Sequence, residues 1–443
     1  MKNLLLVVVD CARTEKTVAH RPLATPFTRR SARLPFLDSL RRRGTTWTGY
    51  TAVSSTTTPN FATMFTGLLP REHGIVEHSR CALSDVTTLA EILRRRGFTT
   101  RAEVTGPLLA ECGLNRGFDS YRWRDRSEYL DAGFAAELSR VLHDLPEPWF
   151  LCVHLWEAHM PYRVPAALAG ARFGLGVYDR ALSAADAGLA GALEDLDLSR
   201  TALVWCGDHG ERLEADYERN RTLGGDEARV LDLWRRFVAE HGADPFDFDA
   251  WFDEAAAHLG PAAARIYAHN VLGHGFHLTE DLVRTPLVVV DADRCAAGVT
   301  REELRSQLDL FPTLLDLAGL PAGEHEIAER SFLRARAPSA VYVEANGSGG
   351  KQQAARCYLR GVRTDRLKYW RLEADGVEKR VLFDLAEDPR ETVDATARLP
   401  EEAARLEERL DLWMRRGAAG ARATLTPAEE ERLASTMKAL GYL

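Results

Sequence analysis

The chain has 443 residues, of which 45% are hydrophobic and 28% charged, the balance of an ordinary folded globular protein. Single hydrophobic cores stop growing near about 250–300 residues, so we expect one large domain and a smaller one. The net charge of −8 excludes the basic surface that binding to nucleic acid or to anionic membranes requires. An acidic protein that binds an anionic substrate must attract it locally, with a metal ion or with oriented dipoles.

The first apolar run, Leu4–Val9, is too short to span a bilayer and is not followed by a cleavage site. The seven cysteines are scattered and form no CxxC pair, which argues against a disulfide framework and against a structural zinc site. Both observations lead us to expect a cytoplasmic protein.

Apolar runs and amphipathic segments alternate along most of the chain. Buried strands are predicted at Leu4–Val9, Phe150–His154, Ala202–Trp205 and Leu287–Val290. Helices that end before a glycine are predicted at Leu34–Arg43 and Leu89–Arg96. This alternation favours an α/β fold in which a large, mostly parallel sheet is sandwiched by helices. In such sheets the chemistry collects at the carboxyl ends of the strands.

The pattern changes after Pro338. Short alternating segments predict a small antiparallel sheet made of Ala340–Glu344, Ala355–Val362, Leu367–Leu372 and Arg380–Phe383. A long amphipathic helix is predicted at Glu401–Met414. We therefore expect a catalytic α/β domain over residues 1–338 and a small C-terminal α+β subdomain over residues 339–443.

Polar residues follow several of the predicted strands. Asp10 ends the first strand, where it could bind a metal or simply cap a helix. The hydroxyl-rich segment before Pro59 marks a helix N-terminus near that proline, which is either merely capped or suited to an oxyanion. Asp208 and His209 follow another strand and are good ligands for a divalent metal.

Histidines are also concentrated near these strand ends, at positions His154, His159, His274 and His277. Any one of them alone is more often structural than catalytic. Their recurrence beside carboxylates favours a metal or catalytic site.

These motifs, in this order, resemble the sulfatase-like branch of the alkaline phosphatase superfamily. The first strand and metal aspartate of sulfatases are matched by LLLVVVDCAR, their nucleophile region by LPFLDSLRRRGTTWTGYTAVSSTTTPNFATMFTGLLPREHGI, and their second metal motif by GDHGE. Later stretches are matched by RSQLDLFPTLLDLAGLP, VRTDRLKYW and LFDLAEDPRE. The resemblance implies the fold of that branch, with its large sheet and its smaller C-terminal antiparallel sheet and helix.

The resemblance also implies a nucleophile and a set of metal ligands. Thr57 lies two residues before a proline and nine residues before the threonine of a TG pair, which is where sulfatases place their nucleophile. Asp10, Asp208 and His209 match the metal ligands, and the Thr57 oxygen would share the metal. Two carboxylates, an imidazole and a hydroxyl favour Zn²⁺ or Mn²⁺, with Ca²⁺ or Mg²⁺ as alternatives.

Further roles follow from the same resemblance. His159 matches the histidine of the PHxPY segment, which contacts the substrate and assists the leaving group. His274 stands where many sulfatases have a substrate-binding lysine. A second metal bound by Glu157, His159 and His274 is an open alternative. Additional substrate contacts are expected from Thr58, Asn60 and Thr105.

Three departures from the sulfatase pattern bear on the substrate. Thr57 is neither cysteine nor serine, so conversion to formylglycine is not available; Phe61 replaces the signature arginine, and Cys11 replaces the second aspartate of a DD pair. We therefore expect hydrolysis of a small anionic ester, either a phosphate mono- or diester or a phosphonate ester, through a covalent Thr57 intermediate. The alternatives are a sulfate-ester hydrolase with an unmodified nucleophile, a phosphoryl-type transferase, and a non-catalytic binding homologue.

Residues 212–272 form an acidic insertion with helical patterns at Glu227–Glu240 and Ala250–Leu259. Such insertions often act as lids or specificity elements, but a plain solvated hairpin is equally consistent with the pattern. Trp234, Trp251 and Phe252 could line an apolar pocket or form the core of the hairpin.

Overall fold

The computed structural model describes residues 1–18, 30–77, 82–125, 127–213, 226–242, 248–260, 264, 273–275, 277–320, 328–334, 337–346, 358–374, 377–416 and 425–439. The strands are β1 Asn3–Val9, β2 Thr45–Trp47, β3 Tyr50–Thr51, β4 Thr99–Thr105, β5 Ser120–Arg124, β6 Trp149–Leu155, β7 Thr201–Gly207, β8 Leu287–Val290, β9 Val299–Arg301, β10 Arg305–Ser306, β11 Val341–Ala345, β12 Tyr358–Arg363, β13 Leu367–Ala374 and β14 Val377–Asp384. The helices are α1 Thr14–Thr17, α2 Pro35–Arg43, α3 Thr57–Thr66, α4 Pro70–His73, α5 Leu89–Arg95, α6 Phe134–Asp144, α7 Val177–Ala192, α8 Asp226–His241, α9 Phe248–Leu259, α10 Glu280–Val283, α11 Leu310–Leu317, α12 Pro400–Arg416 and α13 Pro427–Ala439. Within these ranges, none of the helices combines the length and the apolar character that a bilayer crossing needs.

An eight-stranded sheet in the order β5-β4-β6-β1-β7-β8-β2-β9 forms the centre of the molecule. Strands β5, β4, β6, β1 and β7 are parallel to one another. The predicted strand Leu287–Val290 is present as β8, but it runs antiparallel to β7 and to β2. The prediction of a large, mostly parallel sheet is confirmed, with β8 as its antiparallel member.

Alternate residues of β1 belong to the two hydrophobic cores on opposite faces of this sheet. Leu4, Leu6 and Val8 pack in one core with residues of α3, α5 and α11. The intervening residues pack in the other core with residues of α2, α6 and α7. Because both faces are covered, residues Leu4–Val9 of β1 are all apolar, which explains the continuous leucine and valine run.

The four-stranded sheet β11-β12-β13-β14 is antiparallel throughout, and α12 packs against it through Leu406 and Leu410. The predicted small C-terminal sheet and helix are therefore confirmed. Helix α13 differs from its neighbours, because Leu433 is buried in the core that α3 shares with the large sheet. The boundary at residue 338 stays a prediction.

Helices α8 and α9 correspond to the predicted helical patterns of the insertion. Trp251 is buried against Phe237 with ring centroids 5.6 Å apart, and both belong to a separate small cluster that contains residues of these two helices. Trp234 and Phe252 pack against the same cluster. These aromatic residues thus contribute to the hairpin's own core; residues 214–225, 243–247, 261–263 and 265–272 of the insertion lie outside the described ranges.

Candidate active site

The carboxyl ends of the parallel strands meet at one edge of the large sheet, and the acidic residues of the site follow two of them. Strands β1 and β7 are neighbours with Val9 in register with Gly207, so the next residues, Asp10 and Asp208, lie side by side. Asp208 Oδ1 accepts hydrogen bonds from the backbone N–H groups of Cys11 at 3.2 Å and His209 at 2.8 Å. Both bonds are made by Oδ1, whereas Oδ2 of Asp208 has no hydrogen-bond partner within the described residues.

Helix α3 brings the predicted nucleophile to the same edge. The helix begins at Thr57, which is two residues earlier than the predicted start, so Pro59 is its third residue. Every residue of the helix is buried. Its N-terminal end, with the positive end of the helix dipole, therefore lies inside the protein beside the carboxylates, where it favours negative charge.

Four predicted residues converge at this point, and all four are fully buried. Thr57 Oγ1 lies 3.1 Å from His209 Nε2 and 3.5 Å from Asp10 Oδ2. His209 Nε2 lies 3.4 Å from Asp208 Oδ2 and 3.7 Å from Asp10 Oδ1. The structure thus brings the predicted nucleophile and the predicted metal ligands together around one centre.

Hydrogen bonds to carbonyl groups define the tautomers of two site histidines. His209 Nδ1 lies 2.8 Å from the carbonyl oxygen of Gly210, and His154 Nδ1 lies 3.2 Å from that of Thr105. A carbonyl oxygen only accepts, so Nδ1 carries a proton in both rings and Nε2 of each ring faces the carboxylates. His154 Nε2 lies 3.2 Å from Asp10 Oδ2.

The residues present fit a divalent cation. Asp208 Oδ2 and His154 Nε2 are buried without hydrogen-bond partners among the described residues. Burial and the adjacent negative charge of Asp10 raise the pKa of Asp208. Ligand atoms of Asp10, His154 and Asp208 lie within 4.8 Å of one another. A second group with the same property consists of Cys11, His209 and His274.

The two ends of the insertion complete the site. Arg212 and Gly273 form an antiparallel bridge, with Arg212 N–H donating to the Gly273 carbonyl at 2.9 Å. This bridge places the flanking residues Glu211 and His274 together, and His274 Nδ1 lies 2.8 Å from Glu211 Oε2. Although burial opposes it, the Glu211 carboxylate raises the pKa of His274. The His274 ring lies 4.3 Å from the ring of His209.

The family model described as Sulfatase matches residues 2–320. The chain belongs to the sulfatase family. The superfamily predicted from the motifs is thereby confirmed, as is the prediction of a hydrolase acting on ester bonds. The sulfatase family is metal-dependent, in agreement with the two clustered ligand groups.

Several solved structures have the same fold as this sulfatase-family chain. A phosphonate monoester hydrolase of Agrobacterium radiobacter is 18% identical with a TM-score of 0.63, covering 96% of this chain and 97% of that chain. A putative sulfatase from Bacteroides fragilis is 16% identical with a TM-score of 0.65, covering 94% and 96%. A third structure, solved in complex with its substrate D-glucosamine-2-N,6-O-disulfate, is 14% identical with a TM-score of 0.65, covering 94% and 98%. Among curated proteins, no sequence matches the chain significantly.

His159 lies beside this sulfatase-type centre. Its ring stacks on Trp156 with centroids 3.8 Å apart and lies 4.9 Å from the ring of His274. Burial lowers the pKa of His159 to about 4, so the imidazole is neutral at neutral pH. Its Nδ1 bonds to the carbonyl oxygen of Met160, which leaves the lone pair on Nε2.

The predicted second metal site does not assemble as expected. Glu157 Oε1 accepts the backbone N–H of Leu130 at 2.9 Å, and Glu157 belongs to neither of the clustered ligand groups. The carboxylate beside His274 is that of Glu211 instead. This role of Glu211 was not predicted from the sequence, although Glu211 belongs to the GDHGE motif that was matched to a metal site.

Thr58 and Thr105 are predicted substrate contacts, and His277 is one of the histidines near the predicted strand ends. Thr58 Oγ1 donates to the Pro107 carbonyl at 3.4 Å. Thr105 Oγ1 is buried without a hydrogen-bond partner among the described residues, and its carbonyl group accepts from His154. His277 lies against the C-terminal sheet, 5.7 Å from the ring of Trp370. None of these contacts involves Thr57.

Asn60 supports the site through the backbone. Its Nδ2 donates to the carbonyl oxygens of Ser54 at 2.7 Å and Asp208 at 2.9 Å, and its Oδ1 accepts from Ser54 N–H at 2.8 Å. Gln307 Nε2 also donates to the Asp208 carbonyl, at 3.1 Å. Asn60 therefore positions Asp208, and Gln307 does so too. The motif RSQLDLF contains Gln307, but its residue types alone do not reveal this contact.

Proposed function

We propose that this sulfatase-family hydrolase cleaves a phosphate ester or phosphonate ester through a covalent intermediate on Thr57. One observation carries the proposal: the buried Thr57 hydroxyl lies 3.1 Å from His209 Nε2 and 3.5 Å from Asp10 Oδ2. A hydroxyl at this position needs no conversion to an aldehyde in order to attack phosphorus.

Asp10, Asp208, His209 and the Thr57 oxygen would hold a divalent cation, Zn²⁺ or Mn²⁺ by their ligand types. When bound, such a cation lowers the pKa of a hydroxyl and polarises an ester oxygen. Thr57 itself is held by a buried helix, so its oxygen has a fixed line of approach to the substrate. The N-terminal end of that helix stabilises the negative charge that develops on the phosphoryl oxygens.

The reaction proceeds in two displacements. In the first, the Thr57 hydroxyl releases its proton to solvent, a bond forms between Oγ1 and phosphorus, and the bond to the leaving oxygen breaks. In the second, water attacks phosphorus, the bond to Oγ1 breaks, and the proton that the water loses restores the threonine hydroxyl. His159 is neutral in the free protein, and the negative charge of a bound substrate raises its pKa, so Nε2 takes a proton from solvent and gives it to the leaving oxygen.

The electrostatic environment of His274 shifts its pKa in the opposite direction to that of His159. Its contact with Glu211 raises its pKa, so the ring takes up a proton more readily than His159 does. A protonated ring 4.9 Å from His159 supplies positive charge on the side of the site where the leaving group departs. We assign His274 to binding of a second substrate oxygen.

A panel of nitrophenyl sulfate, mono- and bis-nitrophenyl phosphate and a phosphonate monoester tests the proposal with metal-loaded protein. We expect phosphorus esters to be preferred. Thr57→Ala should lower kcat/KM on the order of 10³-fold or more. Thr63→Val is a matched control, because Thr63 is also buried on α3 and its Oγ1 also lies near a histidine, 3.2 Å from His73 Nε2. Rapid quenching should reveal a phosphorylated Thr57 by mass spectrometry.

The same assays separate the alternatives. Hydrolysis that survives Thr57→Ala removes the proposed nucleophile. A preference for the sulfate ester that still depends on Thr57 supports a sulfatase with an unmodified nucleophile. Labelled oxygen from water that does not appear in the product supports a transferase. Protein that binds metal but turns over none of the esters supports a binding role.

A further inference from the structure

Cys11 directly follows Asp10 in the chain and is fully buried. Its Sγ donates to Asp10 Oδ1 at 2.9 Å and lies 3.6 Å from His274 Nδ1. Its thiol, one nitrogen of His209 and one nitrogen of His274 lie within 4.8 Å of one another. The thiol is therefore inside the ligand cluster and not merely beside it.

The backbone holds Cys11 in a costly conformation. Its φ of 59° is in the left-handed region, which non-glycine residues adopt at a cost of about 1–3 kcal/mol. The N–H group donates to Asp208 Oδ1 at 3.2 Å, and the carbonyl oxygen accepts from the Tyr178 hydroxyl at 2.6 Å. These bonds fix the residue on both sides and turn its side chain toward the centre.

Two carboxylate oxygens near Cys11, Glu211 Oε1 and Asp208 Oδ2, are buried without hydrogen-bond partners among the residues that the structure describes. Asp10 links the two ligand groups, because its Oδ1 faces Cys11 while its Oδ2 faces Thr57. A thiolate among these carboxylates needs a cation next to it, and the orphaned oxygens independently point to one.

We propose that Cys11 is a thiolate ligand of the cation centre, on the side of His209, and selects Zn²⁺ or Co²⁺ over Mg²⁺ and Ca²⁺. Sulfur and imidazole ligands prefer borderline and soft cations, whereas Mg²⁺ and Ca²⁺ prefer oxygen. On binding, the S–H bond breaks, a sulfur–metal bond forms and the proton is released to solvent. The proposal rests on the cation centre of the proposed function, but it does not require Thr57 to be the nucleophile.

Cobalt provides a direct spectroscopic test, because a thiolate bound to Co²⁺ gives a sulfur-to-metal charge-transfer band in the near ultraviolet. The full chain is stripped of metal and loaded with Co²⁺ alone. We expect the band in the wild-type protein and in Thr57→Ala, and its loss in Cys11→Ala. Cys152→Ala is the matched control, because Cys152 is equally buried but lies within strand β6. Circular dichroism of each variant establishes that it is folded.

Competition between Zn²⁺ and Mg²⁺ gives a second measurement that does not require Cys11→Ala to fold. Cys11→Asp should lower the preference for Zn²⁺ by at least about 10–100-fold, the scale of lost metal-site interactions. A wild-type protein that binds Co²⁺ without the band, or a band that persists in Cys11→Ala, overturns the proposal. Cobalt protein with the band but without ester hydrolysis contradicts the proposed function and leaves the thiolate ligand in place.

Discussion

Asn60→Ala should destabilise the protein by about 2–6 kcal/mol. The wild-type amide makes three hydrogen bonds of 2.7–2.9 Å to backbone groups, and the residue is fully buried. The change removes the partner of the Ser54 N–H and of the Ser54 carbonyl, while the Asp208 carbonyl keeps its bond from Gln307. Each buried group left unsatisfied costs about 1–3 kcal/mol, and two such groups give the expected range.

Urea denaturation measures this loss as a lower free energy of unfolding at an unchanged m-value. The variant should also bind metal more weakly, because one of the two side chains that hold the Asp208 backbone is gone. Since Asn60 and Gln307 share the Asp208 carbonyl as acceptor, the double variant with Gln307→Ala should deviate from additivity by about 0.5–3 kcal/mol. A loss below about 0.5 kcal/mol for Asn60→Ala would refute the positioning role.

Three further predictions concern metal, ionic pairing and pH. Chelation of divalent cations should lower Tm, because a cation at a free concentration 100 times its Kd adds about 2.7 kcal/mol to the free energy of unfolding. A Tm that is unchanged in the apo protein contradicts the cation centre. Lys368→Met should lower the free energy of unfolding, measured with urea, by about 3–5 kcal/mol, because Lys368 is fully buried 2.8 Å from both Glu280 and Glu391. An unchanged free energy of unfolding would mean that the two carboxylates find other partners. Burial lowers the pKa of His73 from 6.5 to about 3, so the unfolded state binds more protons below pH 6.5, and this residue should lower the free energy of unfolding by roughly 1.4 kcal/mol for each unit that the pH falls below that value. His73→Gln should reduce the slope by this amount, whereas substitution of the exposed residue in His143→Gln should leave it unchanged, as read from unfolding curves between pH 5 and 7, on the scale set by the histidine pKa.

The strands buried on both faces are predictable because each contains a continuous apolar run. The runs of β1, β6, β7 and β8 are predicted within two residues of their ends. The direction of β8 is not predictable, because its own side chains fit either orientation. Strand β4 is missed because charges interrupt its pattern: Glu103 is fully buried and pairs with Arg101 at 2.7 Å and Arg122 at 3.1 Å. Only the tertiary contacts make that strand compatible with the sheet.

Helix α7 is missed for a related reason. Its Asp186 is buried and accepts the backbone N–H groups of Phe36 at 2.9 Å and Leu37 at 2.8 Å, at the start of α2. The aspartate reads as a surface residue in the sequence, whereas in the fold it satisfies the donors of another helix. The hydrogen-bond partners of such a buried polar residue lie about 150 positions away in the chain. Sequence periodicity cannot detect partners at that distance.

The site itself was predictable where spacing carried the information. Thr57, Asp10 and Asp208 converge because strand ends meet at one edge, a consequence of parallel topology. Glu157 is offered by the sequence as a ligand of an alternative second metal, yet its side chain turns to the backbone of another loop. Which way a side chain turns after a strand depends on the loop that follows, so sequence proximity to a strand end overestimates the ligand set.

The C-terminal sheet participates in holding the nucleophile, although it is distant in sequence. Glu344 in β11 donates its N–H to the Val53 carbonyl at 2.8 Å and accepts from Ser55 N–H at 3.3 Å. Its side chain is fixed in turn by the Tyr342 hydroxyl at 2.7 Å. Strand β11 thus bonds to the segment that leads into Thr57. A chain ending at the predicted boundary would leave those backbone groups without these partners, so the smaller sheet is part of the active-site support and not an appendage to it.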